Sequence, residues 1–225
     1  MQVNVLVEGQ TEETFVKQIL YNYLIPFDVF LIPTIISTKR IKSGQKFKGG
    51  LTDANFDQFL SDLRKIIYST PQGFVTTFID YYAIPSKFPG YDEKTIFPTQ
   101  IEKVVFLENM LFESLGSPRN FIPYIQLHEF ESLLFADENG FNSNISAKDP
   151  NLPKLHRIIN SFPNPEDIDE GRDTAPSKRI LHYYPSYDKV TEGNLILLDI
   201  GIERLLEKCP HFRSWVEKLE HLGKE

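Results

Sequence analysis

The sequence predicts an α/β fold: a mostly parallel central sheet with helices on both faces, then a mainly helical C-terminal third. Three observations carry this. Short apolar runs alternate with stretches of helical periodicity through residues 1–140. Two of those runs, residues 3–7 and 74–79, are apolar or β-branched at most positions, as in strands buried on both faces. From about residue 141 onward, helical spacing and polar turns replace the strand-like runs.

Residues 3–7 read as the first strand. Thr11 is placed to cap the next helix, with Glu12 and Glu13 in its first turn near the positive end of the dipole. Phe15, Val16, Ile19, Leu20 and Tyr23 recur at helical spacing, and Pro26 ends the run. Residues 29–36 form a second strand, which Pro33 assigns to an edge or a bulge. A basic, glycine-containing loop spans residues 38–50, and a helix follows over about 53–68. The run 74–79 is a strand ending on Asp80, and residues 84–98 form a loop rich in proline and aromatics. Ile101, Val104, Val105, Leu107, Leu111 and Leu115 mark a helix over 99–115. Residues 121–127 read as a strand and 129–135 as a short helix. Beyond them, 142–173 is polar with one helical candidate around 155–159, and helices are expected over 176–183, 192–207 and 211–222. A single domain over 1–225 is expected, with an α/β core of about 1–140 and a helical extension of about 141–225 packed on it.

Composition narrows the function classes. Hydrophobic residues make up 41% of the 225 positions, so a real core can form and global disorder is excluded. The absence of a long apolar run or signal-like start predicts a cytoplasmic protein with no membrane contact. One cysteine, Cys209, excludes a disulfide framework and a thiolate zinc site. A net charge of −7 argues against polyanion binding by the whole surface, which leaves room for a local basic patch. The chain lacks the glycine-rich dinucleotide and P-loop motifs and the serine elbow of hydrolases. The aromatic stripe of Phe212 and Trp215 with Val216 and Leu219 reads as core.

Chemistry is signalled by acids. Glu8, Asp80 and Glu131 stand where apolar runs end, and parallel strands bring their carboxyl ends to one edge. A carboxylate there lacks a packing reason, and oxygen donors of this kind suit Mg²⁺ or Mn²⁺. Lys39, Arg40, Lys42, Lys46 and Lys48 lie between glycines, where cations and close backbone approach suit phosphate. In Thr174-Ala175-Pro176-Ser177-Lys178-Arg179, Thr174 is a candidate cap, and Lys178 and Arg179 could meet a phosphate at the helix start. Each of these has a bland counterpart: a cap, a surface ion pair or a solvated loop. His128 lies beside Glu129 and could assist a site; the other histidines lack metal-ligand spacing.

Val7-Glu8-Gly9-Gln10-Thr11-Glu12 resembles the first motif of Toprim domains, in the form seen in OLD-type nucleases. Taken with 76–82, 129–137, 174–179 and Cys209-Pro210-His211-Phe212, the chain is similar to the Toprim-like DUF4276 group, over nearly its whole length. The resemblance implies a Toprim-like fold with a metal-dependent site. It also implies a setting in prokaryotic anti-phage defence, as in AbiL abortive-infection effectors and RloB-like proteins, with an ABC-type or AAA-type ATPase as partner. By motif, Glu8 would be general acid/base or metal ligand, and Asp80 a metal ligand. Tyr82 stands where the second aspartate of the motif is expected, and a tyrosine with its pKa near 10 does not replace a carboxylate on Mg²⁺. Glu131 is the first choice to complete the set, then Glu129, with Asp137 a further candidate.

Together these readings lead to a metal-dependent nuclease or related phosphotransfer enzyme acting on DNA or RNA. Glu8, Asp80 and Glu131 would hold Mg²⁺, and Lys178, Arg179, Lys46 and Lys48 would bind phosphates. The alternative is a catalytically degenerate Toprim-like subunit that docks on the ATPase. A third possibility is a nucleotide or tRNA transferase, with residues 85–98 forming a base pocket.

Overall fold

The computed structural model describes residues 1–36, 50–82, 84–168, 171 and 173–224. Strand β1 (Gln2–Val7) leads into α1 (Gln10–Phe15), a π turn (Val16–Leu20), α2 (Tyr21–Leu24) and a 3-10 turn at Ile25–Phe27. β2 (Phe30–Ile35), α3 (Phe56–Ser69), β3 (Phe74–Asp80) and α4 (Gln100–Ser114) follow. Thr99 and Glu102 form a reciprocal capping box at the start of α4. Two short strands, β4 (Phe121–Ile122) and β5 (Ile125–Gln126), precede a 3-10 helix at Phe130–Ala136. The remainder is helical: α5 (Glu138–Asn144), α6 (Leu152–Ser161), α7 (Pro176–Tyr183), α8 (Glu192–Ile200), α9 (Ile202–Lys208) and α10 (Pro210–Leu222).

Among the described residues every strand pair is parallel, in the order β2-β1-β3-β4, with β5 continuing along β3. The chain therefore has a mostly parallel α/β sheet with a helical C-terminal region. β2 lies at the edge, where Pro33 is tolerated. β1 is central, and its side chains split by parity: Val3, Val5 and Val7 pack on one face and Leu6 on the other. The first face is covered by Phe15, Leu20 and Leu24 together with Phe212, Trp215 and Leu219 from α10. The second is covered by Phe56, Phe59 and Leu63 of α3 and Val104, Leu107 and Leu111 of α4. The C-terminal helices thus share one core with the sheet, and the Trp215 stripe is core.

Several boundaries differ from the sequence reading. The expected strand 121–127 is broken at Pro123, which has no N–H for the ladder. Threonine hydroxyls bridge the break. Thr77 Oγ1 donates to the Tyr124 carbonyl (2.8 Å) and accepts from the Tyr124 N–H (2.9 Å). Thr76 Oγ1 donates to the Ile122 carbonyl (2.6 Å) and accepts from Trp215 Nε1 (2.9 Å), tying the gap to α10. The expected helix 192–207 is two helices, because Gly201 takes a left-handed backbone (φ 80°) between α8 and α9. α5 went unread amid the polar residues after Asp137. The first helix begins at Gln10 with Gly9, not Thr11, in the capping position.

Thr77→Val keeps the shape but strands a buried N–H and carbonyl of Tyr124. It should cost about 1–3 kcal/mol, read by urea unfolding through the single tryptophan, Trp215.

Candidate active site at the carboxyl edge of the sheet

The carboxyl ends of β1 and β3 place Glu8 and Asp80 together. Glu8 Oε1 accepts the Asp80 N–H (3.0 Å) and Oε2 accepts the Leu51 N–H (3.3 Å). Gly9 allows the chain to turn close to the acids: a Cβ there would lie 3.3 Å from Glu12 Oε2. Glu12 is buried in the first turn of α1, so it faces the site rather than solvent.

The segment after β5 brings two more acids. His128 takes a left-handed backbone (φ 60°), an uncommon conformation for a residue with a side chain, and its carbonyl accepts the Tyr82 N–H (2.7 Å). This sharp turn redirects the chain into Glu129 and the 3-10 helix. Asp80 Oδ1 accepts the Phe130 N–H (3.0 Å) at the start of that helix. Glu129 is extended and Glu131 lies within the 3-10 helix, so both line the same cavity. The cavity has a volume of about 220 Å³, and Asp80, Ser177, Leu181, Tyr187 and Lys189 complete its lining.

Among the described residues, Lys189 is the cation nearest the acids. Its Nζ lies 3.7 Å from Glu131 Oε1, and its side chain is 48% exposed at the mouth. Burial pulls its ammonium down, but Glu131, Glu12, Asp80 and Glu129 together raise it above its ordinary value. Among the described residues, the acids outnumber the cations near them. Burial first, then Glu12, push Glu8 up from 4.5 to about 7, against the lowering effect of its two N–H donors and Lys189. Burial, Glu8 and Glu12 push Asp80 well above the usual carboxylate range. Burial also raises Glu131, with Lys189 opposing. Tyr187 is raised by burial and by Glu131 and stays neutral.

The structure thus gathers Asp80, Glu129 and Glu131 in the cavity lining with Lys189, Tyr187 and Ser177, while Glu8 and Glu12 stand beside Asp80 outside that lining. Lys189 sits in a polar turn between helices, where only the fold reveals its partners. Glu129 also has a structural duty: its Oε2 accepts the Ser177 N–H (3.0 Å) and caps α7, the role the sequence reading gave to Thr174. Asp137 is placed elsewhere. It caps α5 through the Asn139 N–H (2.9 Å) and pairs with Arg204 (2.7 Å). His128 is buried, with Nε2 3.0 Å from the Glu166 carbonyl, and it does not line the cavity. Tyr82 is 36% exposed and also outside the lining. Lys178 is exposed and Arg179 lies on the opposite side of α7 from Ser177. Lys46 and Lys48, with Lys39, Arg40 and Lys42, lie outside the described residues. Residues 85–98 pack against α3 and α4, with Phe88 5.5 Å from Phe56 and Phe97 4.8 Å from Phe106.

Among the described residues, no group of three or more His, Cys, Asp or Glu side chains is arranged to hold a metal ion. Mg²⁺ commonly takes only one or two carboxylates, with waters and substrate phosphates completing its shell. The oxygen donors and the surplus negative charge fit that pattern. Glu8 uses both oxygens on backbone N–H groups, whereas Asp80 uses only Oδ1 among the described residues. Asp80 and Glu131 are therefore the better placed donors for a cation.

A family model described as "Domain of unknown function (DUF4276)" matches residues 7–220. No curated protein and no solved structure gives a significant match. No helix among the described residues is long and apolar enough to cross a membrane.

Glu8 also sets a pH dependence of stability. Its folded value near 7 lies above its ordinary 4.5, so the folded chain holds the extra proton. The stabilisation from that proton is full below 4.5 and is lost as pH rises through about 7. Glu8→Gln should flatten this decline and gain about 1–3 kcal/mol over the wild type at alkaline pH. Urea unfolding across the pH range checks it; an unchanged slope would place the raised carboxyl elsewhere.

Proposed function

Since the chain belongs to the DUF4276 family, we propose that its acid edge is the active site of an enzyme acting on phosphodiester or phosphoryl groups of nucleic acid. In its simplest form this is a nuclease dependent on Mg²⁺ or Mn²⁺. The observation that carries the reading is Glu8: a carboxyl held at about 7 by burial and Glu12, beside Asp80 at the carboxyl edge of a parallel sheet.

A group that exchanges its proton near neutrality suits general acid/base work. Ionised Glu8 takes a proton from the attacking water, and its protonated form can return one to the leaving oxygen. The Asp80 and Leu51 N–H groups hold it in position for both. Lys189, half in solvent at the cavity mouth, meets the phosphoryl oxygens and neutralises the charge that builds on them. Tyr187 and the buried 3-10 helix wall off the inner side, which strengthens these electrostatic contacts. Asp80 and Glu131 are the residues that would hold a divalent cation. When bound, it would polarise a phosphoryl oxygen as a Lewis acid.

The defence setting and an ABC-type or AAA-type ATPase partner remain part of the proposal, supported by the resemblance of the acid motifs. A second reading, a non-catalytic subunit docking on that ATPase, is favoured by Tyr82 in place of a second aspartate and by the lack of a ready three-acid set among the described residues.

With Mg²⁺ or Mn²⁺, the purified chain should cleave a labelled oligonucleotide. The rate should rise with pH as Glu8 ionises to act as base, with a midpoint below about 7 because the bound cation draws its carboxyl down. Glu8→Gln should lower it about 100-fold or more, and Lys189→Met about 10-fold or more, with folding retained by circular dichroism. Equal cleavage by Glu8→Gln sinks the catalytic assignment, and no cleavage by any of the proteins favours the docking subunit.

A further inference from the structure

A second cavity lies on the other side of α7. It has a volume of about 290 Å³ and is lined by Lys154, Arg157 and Phe162 from the α6 region and Arg179 and Tyr183 from α7. Three cations converge here on a chain whose net charge is −7. Each aromatic ring is paired with a cation: Arg179 lies 5.3 Å from the centre of the Phe162 ring, and Lys154 5.1 Å from that of Tyr183. Arg179 Nε donates to the Thr174 carbonyl (2.5 Å), which fixes the guanidinium at the rim. Among the described residues, neither Lys154 nor Arg157 forms an ion pair with a carboxylate. Sequence reasoning assigns Arg179 to phosphate but does not identify Lys154, Arg157 or the two rings.

α7 joins the two cavities. Ser177 and Leu181 line the acid cavity, and Arg179 and Tyr183 line the basic one. Within each pair the spacing is four residues, one helical turn. The two pairs are offset by two residues, about 200° round the helix, so they face opposite sides. The cavities therefore lie about one helix diameter apart, roughly 10–12 Å. Glu129 caps the helix from the acid side, so its position is tied to the acid site.

We propose that the basic cavity binds one nucleotide unit of a single-stranded nucleic acid, with its phosphate on Lys154, Arg157 and Arg179 and its base against Tyr183 or Phe162. A cation cluster alone would suit any small anion; the two rings add a surface for stacking a base. The size is at the lower end of small-ligand clefts, which fits a single unit of a strand. The choice of ligand rests on the nucleic-acid reading above. Binding in this cavity needs no chemistry at the acid edge.

The test is fluorescence anisotropy of the full chain with a labelled single-stranded oligonucleotide in EDTA, where turnover does not enter. The wild type should bind, with affinity falling steeply as salt rises. Lys154→Ala/Arg157→Ala should weaken binding about tenfold or more and make the salt dependence shallower. Tyr183→Leu should weaken it with the salt dependence unchanged. Arg213→Ala/Lys218→Ala on α10, with the same loss of charge, should change it less than about twofold. Adenosine 5′-monophosphate should compete better than inorganic phosphate, and a short oligonucleotide better than either. No binding by the wild type, equal binding by Lys154→Ala/Arg157→Ala, or equal competition by inorganic phosphate and the nucleotide would each overturn the proposal. Cavity-dependent binding without any cleavage would uphold it and overturn the catalytic reading alone.

Discussion

The Glu8 carboxylate joins three segments of the chain. It leaves β1, accepts the N–H of Asp80 at the end of β3 and accepts the N–H of Leu51 ahead of α3. Asp80 passes the connection on by accepting the Phe130 N–H, and Glu129 continues it to α7 through Ser177. Glu8, Asp80 and Glu129 therefore also anchor backbone. The same device recurs away from the site, where Glu166 accepts the His211 and Phe212 N–H groups (both 2.9 Å) and caps α10. α7 and α10 begin with proline near the first turn and have no capping side chain of their own. Buried acids from distant segments meet that need.

This arrangement fixes the geometry and strains the electrostatics at once. Backbone donors hold Glu8 and Asp80 where they are, while burial and mutual repulsion resist their ionisation. Among the described residues, five carboxyl groups share one nearby ammonium, that of Lys189. A cluster of that charge is costly for folding, which is the usual sign of a site retained for binding or catalysis. On the far side of α7 the balance reverses, and three cations gather around two rings. One helix thus separates an acidic cavity from a basic one.

The central strands were legible because burial on both faces leaves a run of apolar residues, as in Val3-Asn4-Val5-Leu6-Val7. Pairing itself was not legible, yet the carboxyl-edge rule for parallel sheets sufficed to bring Glu8 and Asp80 together. Glu129 and Glu131 were harder: the segment changes from extended to 3-10 between them, so neither a strand nor a helix period describes it. Lys189 was invisible, since its partners lie at positions 12, 80, 129 and 131 and no local spacing links them. Thr174 looked like the cap of α7 because local motifs suggest local caps, whereas Glu129 supplies it from 48 residues away. The break at Pro123 could have been read from its missing N–H; the threonine hydroxyls that compensate could not.

The central claim is that the acids at this edge bind a divalent cation from solution. Electron paramagnetic resonance of Mn²⁺ titrated into the metal-free chain at alkaline pH measures this directly. The account predicts Mn²⁺ bound at a defined site on the wild-type chain and lost in Asp80→Asn, with the variant still folded. Mn²⁺ left free in solution beside a folded wild-type chain, or bound equally by Asp80→Asn, would contradict it.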